Sequence, residues 1–113
     1  MAINVDLPEL YRILVRIAES NDTITYEDLS QAYKVQTGDD IHRRQWGEPL
    51  GNVSARCTDS DLPPISSVVV SATDGLPGDG YWGIVGAPPS KDYNGWKAVC
   101  ALVHAAVWPK VLP

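Results

Sequence analysis

Residues 62–85 read LPPISSVVVSATDGLPGDGYWGIV. The run ISSVVVSA is rich in β-branched residues and has the composition of a strand. Asp74-Gly75 and Gly78-Asp79-Gly80, with Pro77 between them, are turn signals, because glycine supplies unusual backbone angles and Asp bonds its own backbone. YWGIV then returns as an apolar, aromatic run. The pattern predicts an antiparallel pair near residues 65–72 and 80–85, joined by a projecting loop longer than a tight two-residue turn.

Outward from this stretch the periodicity turns helical. VDLPELYRILVRIAESND predicts a helix over 7–20, with Asp6 as N-cap, Pro8 in the first turn and a stripe of Leu7, Leu10, Tyr11, Leu14, Ile17 and Ala18. ITYEDLSQAYKV predicts a second helix over 25–34, capped by Thr25 with Asp28 three residues on, and with Ile24, Leu29 and Tyr33 facing inward. Pro49 forbids an uninterrupted helix through 36–61, so a third helix is expected over 49–57, with Leu50, Val53 and Cys57 inward. GWKAVCALVHAAVW predicts a last helix over 94–107, with Trp96, Val99, Cys100, Val103 and Val107 on one face and Pro109 as its stop. Three helices, a two-stranded antiparallel wing and a C-terminal helix are the order of an α+β winged helix-turn-helix, as one domain over 1–113.

The chain has 113 residues, 44% apolar and 20% charged, enough for one packed core. Its net charge of −5 is an awkward balance for a nucleic-acid binder, whose affinity comes largely from neutralising phosphates. Cys57 and Cys100 lack C-x-x-C or Cys/His spacing and read as buried, reduced thiols; no metal or cofactor is expected. No secretion signal and no bilayer-spanning run is read, so a cytoplasmic location with no membrane partner is expected.

The stretches ITYEDLSQAY, PLGNVSARC, PPISSVVVSATDGLPGDGYW and GWKAVCALVHA together resemble the winged-helix domain of methylated-DNA alkyltransferases and alkyltransferase-like proteins, over roughly residues 7 to 107. The resemblance implies a DNA-binding helix-turn-helix, with Tyr26 at the family tyrosine near the target phosphate and Arg56 at a basic position of the recognition helix. It also implies a degenerate catalytic centre. The family's Pro-Cys-His-Arg stands here as Pro64-Ile65-Ser66-Ser67, its wedging arginine falls on Glu48, and its hinge asparagine falls on Thr58. Without a thiolate or an activating base, alkyl transfer is not expected. Without the arginine, lesion sensing loses its wedge. The run LPPISSVVV…GLPGDGYW also resembles uncharacterised proteins of prokaryotes and their phages, which implies no activity.

IHRRQW groups Arg43, Arg44 and Trp46 into a basic cluster with an aromatic, suited to gripping phosphate and stacking on a base. Its bland counterpart is a solvated loop whose arginines pair with Asp39, Asp40 or Glu48. Asn52 and Arg56 lie on the polar face of the third helix. The loop TDGLPGDG reads as a plain turn or, through Asp74, Asp79 and the adjacent Trp82, as a protein contact; the ligand alternation of a Ca²⁺ loop is missing. His104 reads as a core-edge residue, and Ser66 and Ser67 lack the glycine elbow of a nucleophile. Trp82, Trp96 and Trp108 are expected in one aromatic cluster, or as an apolar patch for a partner or a homodimer.

No constellation of nucleophile, base and oxyanion donors is legible, so an enzyme is not expected. Two readings stay open: a non-catalytic winged helix that binds DNA, or a protein-interaction module or phage- or defence-associated inhibitor on the same fold.

Overall fold

The computed structural model describes residues 4–113. They form an α+β fold with four α-helices and one two-stranded sheet. Helix α1 (Leu7–Glu19) starts at Asp6, whose carboxylate accepts from the Glu9 amide, and stops where Asn21 takes a left-handed φ of 55°. Strand β1 (Ile24–Thr25) leads directly into α2 (Tyr26–Thr37), where the Thr25 hydroxyl accepts from the Asp28 amide. Gly38 closes α2 at a φ of 81°, a left-handed value that favours glycine, and its amide returns to the Lys34 carbonyl. A short 3-10 turn (Arg43–Gln45) precedes α3 (Gly47–Thr58). Pro49 sits in the first turn of α3, where its missing N–H leaves no intrahelical bond unmade. Helix α4 (Tyr93–Ala105) begins at Asp92, whose carboxylate accepts from the Asn94 amide.

The stretch 62–85 departs from its expected form. Ile65–Val68 is a 3-10 turn, and only Val69–Val70 is extended, as strand β2. β2 pairs with β1, parallel, with Ile24 opposite Val69 and Thr25 opposite Val70. The expected antiparallel wing is therefore absent from the described residues. The serines explain the first half: the Ser66 amide donates to the Ser54 hydroxyl, and the Ser67 amide and hydroxyl both donate to the Pro64 carbonyl. Those bonds hold the backbone in a turn. The glycines explain the second half. Gly83 and Gly86 have φ of 87° and 85°, and the amides of Tyr81, Ile84 and Ala87 each bond a carbonyl three residues back. Residues 80–85 are thus a chain of turns with no ladder to join.

Pro64 through Val70 are all buried and run through the centre of the molecule, where the 3-10 turn Ile65–Val68 packs on α1, α3 and α4. The main core gathers Leu10, Tyr11 and Leu14 of α1, Leu29 and Tyr33 of α2, Val53 and Cys57 of α3, and Ile65, Val68 and Val69. A second cluster of Val70, Tyr81, Trp96 and Cys100 anchors the loop after β2, with Leu76, Trp82 and Ile84 against it. The three tryptophans are divided: Trp96 and Trp82 belong to that second cluster, while Trp108 packs edge-on to Tyr11 in the main core. Helix α4 ends two residues early, at Ala105, and Val107 is 90% exposed instead of facing inward. Beyond it the chain folds back, with the Trp108 indole donating to the Val103 carbonyl and Tyr11 to that of Pro109. No helix of the described residues is long and apolar enough to cross a membrane.

Candidate functional site

A cleft of about 480 Å³ opens between the start of α2, the Arg43–Gln45 turn, the first turns of α3 and the loop after β2. Four local features build it. The Thr25 cap sets Tyr26 at the first position of α2. His42 caps the Arg43–Gln45 turn, with its ring nitrogen accepting from the Arg44 amide while Gln45 accepts from the His42 amide, and this turn presents both arginines. Gly47 and Gly51 of α3 contribute bare backbone. The fourth feature is the loop, whose Gly78 amide donates to the Tyr26 hydroxyl at 2.7 Å.

The lining combines charge, hydroxyls and apolar wall. Arg43 pairs with Glu27 at 3.1 Å, and both line the cleft. Glu27 is held below the usual carboxylate range by its own backbone amide and then by Arg43. Arg44 makes no ion pair among the described residues. Ser66 and Tyr81, both buried, also line the cleft, as do Leu50 and Ile84. Burial pushes the Tyr81 phenol up to about 12 and also raises that of Tyr26, against the pull of the Gly78 amide.

The structure brings together only part of the residues singled out above. Tyr26, Arg43 and Arg44 share the cleft, and Asp79 is on its rim. Trp46 is fully buried: its indole donates to the Ser30 hydroxyl at 2.8 Å and its ring stands edge-on to Tyr33. It has no face left for a base, so the expected stacking on Trp46 does not fit the fold. Asn52 lies on a small separate hollow with Asn4, Gln45 and Glu48. Arg56 is at the far end of α3 and donates to the Pro113 carbonyl at 2.6 Å, away from the cleft. Asp74 bonds Lys91 at 2.6 Å, and that bond holds its carboxyl below the usual range. Trp82 packs edge-on to Tyr81, with its indole nitrogen buried and without a partner among the described residues.

Sequence reasoning missed Gly51, Ser66 and Tyr81 as cleft residues. A glycine in mid-helix was the available signal for Gly51, because it weakens a helix and asks for a reason. Ser66 and Tyr81 carried no such signal, since they meet only through the fold.

Cys57 and Cys100 are buried, and burial pushes their thiols up to about 11 and about 12. Neither is a thiolate at neutral pH. Ile65 is fully buried. Among the described residues no group of three His, Cys, Asp or Glu side chains is placed to hold a metal ion. No protein-family model, no curated protein and no solved structure matches the chain.

Proposed function

We propose that this chain is a non-catalytic nucleic-acid-binding domain that holds the phosphate backbone at the mouth of the cleft. One observation carries the reading: Arg43 and Arg44, presented by one short turn, line the same cleft as Tyr26, and Arg44 has no ion-pair partner among the described residues. Guanidinium is the group best suited to a phosphate, because its planar fork donates to two oxygens at once. On this reading α2 and α3 serve as the helix pair of a helix-turn-helix that has no antiparallel wing, and the loop after β2 closes the side of the site. Binding is weak and indifferent to sequence, since few cations offset a net charge of −5.

A salt titration of generic duplex and single-stranded DNA tests this. Binding at low salt that falls steeply as salt rises supports the proposal. A flat, unbound response at low salt removes it, and leaves the protein-contact reading through Asp74, Asp79 and Trp82.

A further inference from the structure

We propose that the solvent face of α4 is the interface of a two-fold homodimer, in which two copies pack α4 against α4 in opposite directions. The occupant of the face is a second copy of this chain. The inference does not rest on the nucleic-acid reading.

The first observation is a solvent face without charge. The other helices carry charge on their solvent sides: Arg12 and Arg16 on α1, Glu27 and Lys34 on α2, and Glu48 and Arg56 on α3 are all exposed. On α4 the exposed positions after Lys97 are Ala98, Ala101, Leu102 and Ala105, at the i, i+3, i+4, i+7 spacing of one helix face. Leu102 is 61% exposed, and Val107 and Val111, just beyond the helix end, are 90% and 76% exposed. Apolar residues scattered singly over a surface are ordinary, but a helix face that is apolar along its length marks a contact surface. None of these residues lines the cleft, so covering the face leaves the cleft open.

The second observation selects the occupant, because the two ends of the face are complementary in charge. At one end Lys97 makes no ion pair among the described residues, and its ammonium stands 6.0 Å from the centre of the Tyr93 ring. At the other end are the last carbonyls of the helix. That of Leu102 accepts from the Ala106 amide and that of Val103 from the Trp108 indole. Those of His104 and Ala105 meet no donor beyond the helix among the described residues, and a helix C-terminus favours a cation. A two-fold axis between Ala101 and Leu102 sets Ala98 opposite the partner's Ala105. It also sets Lys97 opposite the partner's Ala106, beside those open carbonyls, and it does so twice. Alanines let the two helix axes approach closely, and Leu102 of each copy then seats over the partner's Ala101. One patch thus complements itself, as a two-fold interface requires. A standard specific interface covers about 800 Å² on each partner. One helix face with Val107 and Val111 gives the low end of that scale, and two chains of net charge −5 repel. The dimer is therefore weak, with a Kd on the order of 10–100 µM.

Sedimentation equilibrium of the intact chain from about 10 to 500 µM, a range that brackets such a Kd, tests this. Wild type should pass from monomer to dimer across the range. Ala101→Glu and Leu102→Glu set like charges together at the axis, and each should weaken association by about tenfold or more. Lys97→Glu should also weaken it, because an acid then faces the partner's carbonyls. Val35→Glu serves as control, since Val35 is 69% exposed on α2, and it should associate as wild type does. All four positions are exposed, so melting in dilute solution should match wild type and separates lost association from lost folding. A wild-type monomer at the highest concentration overturns the proposal and leaves the face to a different protein. Dimers that survive both Ala101→Glu and Leu102→Glu place the interface elsewhere and overturn it as well. Association that grows past the dimer contradicts the closed two-fold arrangement.

Discussion

The Gly78 amide donates to the Tyr26 hydroxyl at 2.7 Å across 52 residues of chain. This bond fastens the loop after β2 to the first turn of α2 and so closes one side of the cleft. Tyr26→Phe removes the acceptor and leaves the Gly78 N–H without a partner. An unsatisfied buried donor costs about 1–3 kcal/mol, and a part-buried one falls near 1. Urea denaturation should show that loss, and hydrogen exchange at the Gly78 amide should speed up. Unchanged exchange there would mean that the loop is held elsewhere.

Trp46 separates a core role from a ligand role. Its ring is fully enclosed and its N–H is bonded to Ser30, so Trp46→Ala should cost about 3–5 kcal/mol in a denaturation experiment. Arg44→Ala should stay within about 0.5 kcal/mol of wild type, as an exposed residue outside the core. A stable Trp46→Ala protein that had lost only nucleic-acid binding would restore the stacking role that burial removes.

The two arginines set the salt response. Each phosphate neutralised adds a slope of about −0.9 in log K against log salt on duplex DNA, so a pair of contacts gives about −2. Arg43→Ala combined with Arg44→Ala should abolish binding while the melting temperature hardly moves, because exposed charges contribute little to stability. Persistence of binding in the double variant would move the interface off the cleft.

Alkyl transfer should not occur. Ile65 is buried and carries no nucleophile, and the thiols at Cys57 and Cys100 are enclosed and protonated. Incubation with a labelled alkylated oligonucleotide should leave no covalent label. Label on Cys57 would overturn this.

Stability should be level through neutral pH and decline in alkali. Cys57 and Cys100 titrate near 9 when unfolded but at about 11 and about 12 in the fold, and Tyr11 and Tyr81 move from 10 to about 12. All four are raised by burial, which disfavours their charged forms. The native state therefore binds these protons more tightly, and the stability this gives is complete below about pH 9 and is lost as pH rises towards about 12. Denaturation series at pH 7, 9 and 11 should show it, and constant stability across them would contradict it.

Much of the architecture was legible because it is local. The helices over 7–20, 25–34 and 49–57 were readable from apolar spacing, and Asp6 and Thr25 cap the first two through bonds only three residues long. The arginines of the cleft were legible as a cluster because one turn carries both. The cleft itself was not, since it joins Tyr26, Gly51, Ser66 and Tyr81 from four separate segments.

By itself, the sequence determined where the four α-helices lie, to within a few residues at their ends, because apolar periodicity acts over neighbouring residues. Only the tertiary structure decided what the buried run would pair with. The hydroxyl of Ser54, twelve residues before Ser66 in the chain, takes the Ser66 amide and bends Ile65–Val68 into a turn. Val69 and Val70 then meet Ile24 and Thr25, brought alongside by the packing of α1, α2 and α3, and the ladder forms in parallel. Whether the amides of residues 81–87 joined a strand or a series of turns rested on the same contest. A backbone amide bonds whichever acceptor the folded chain places nearest, and composition alone does not name that acceptor.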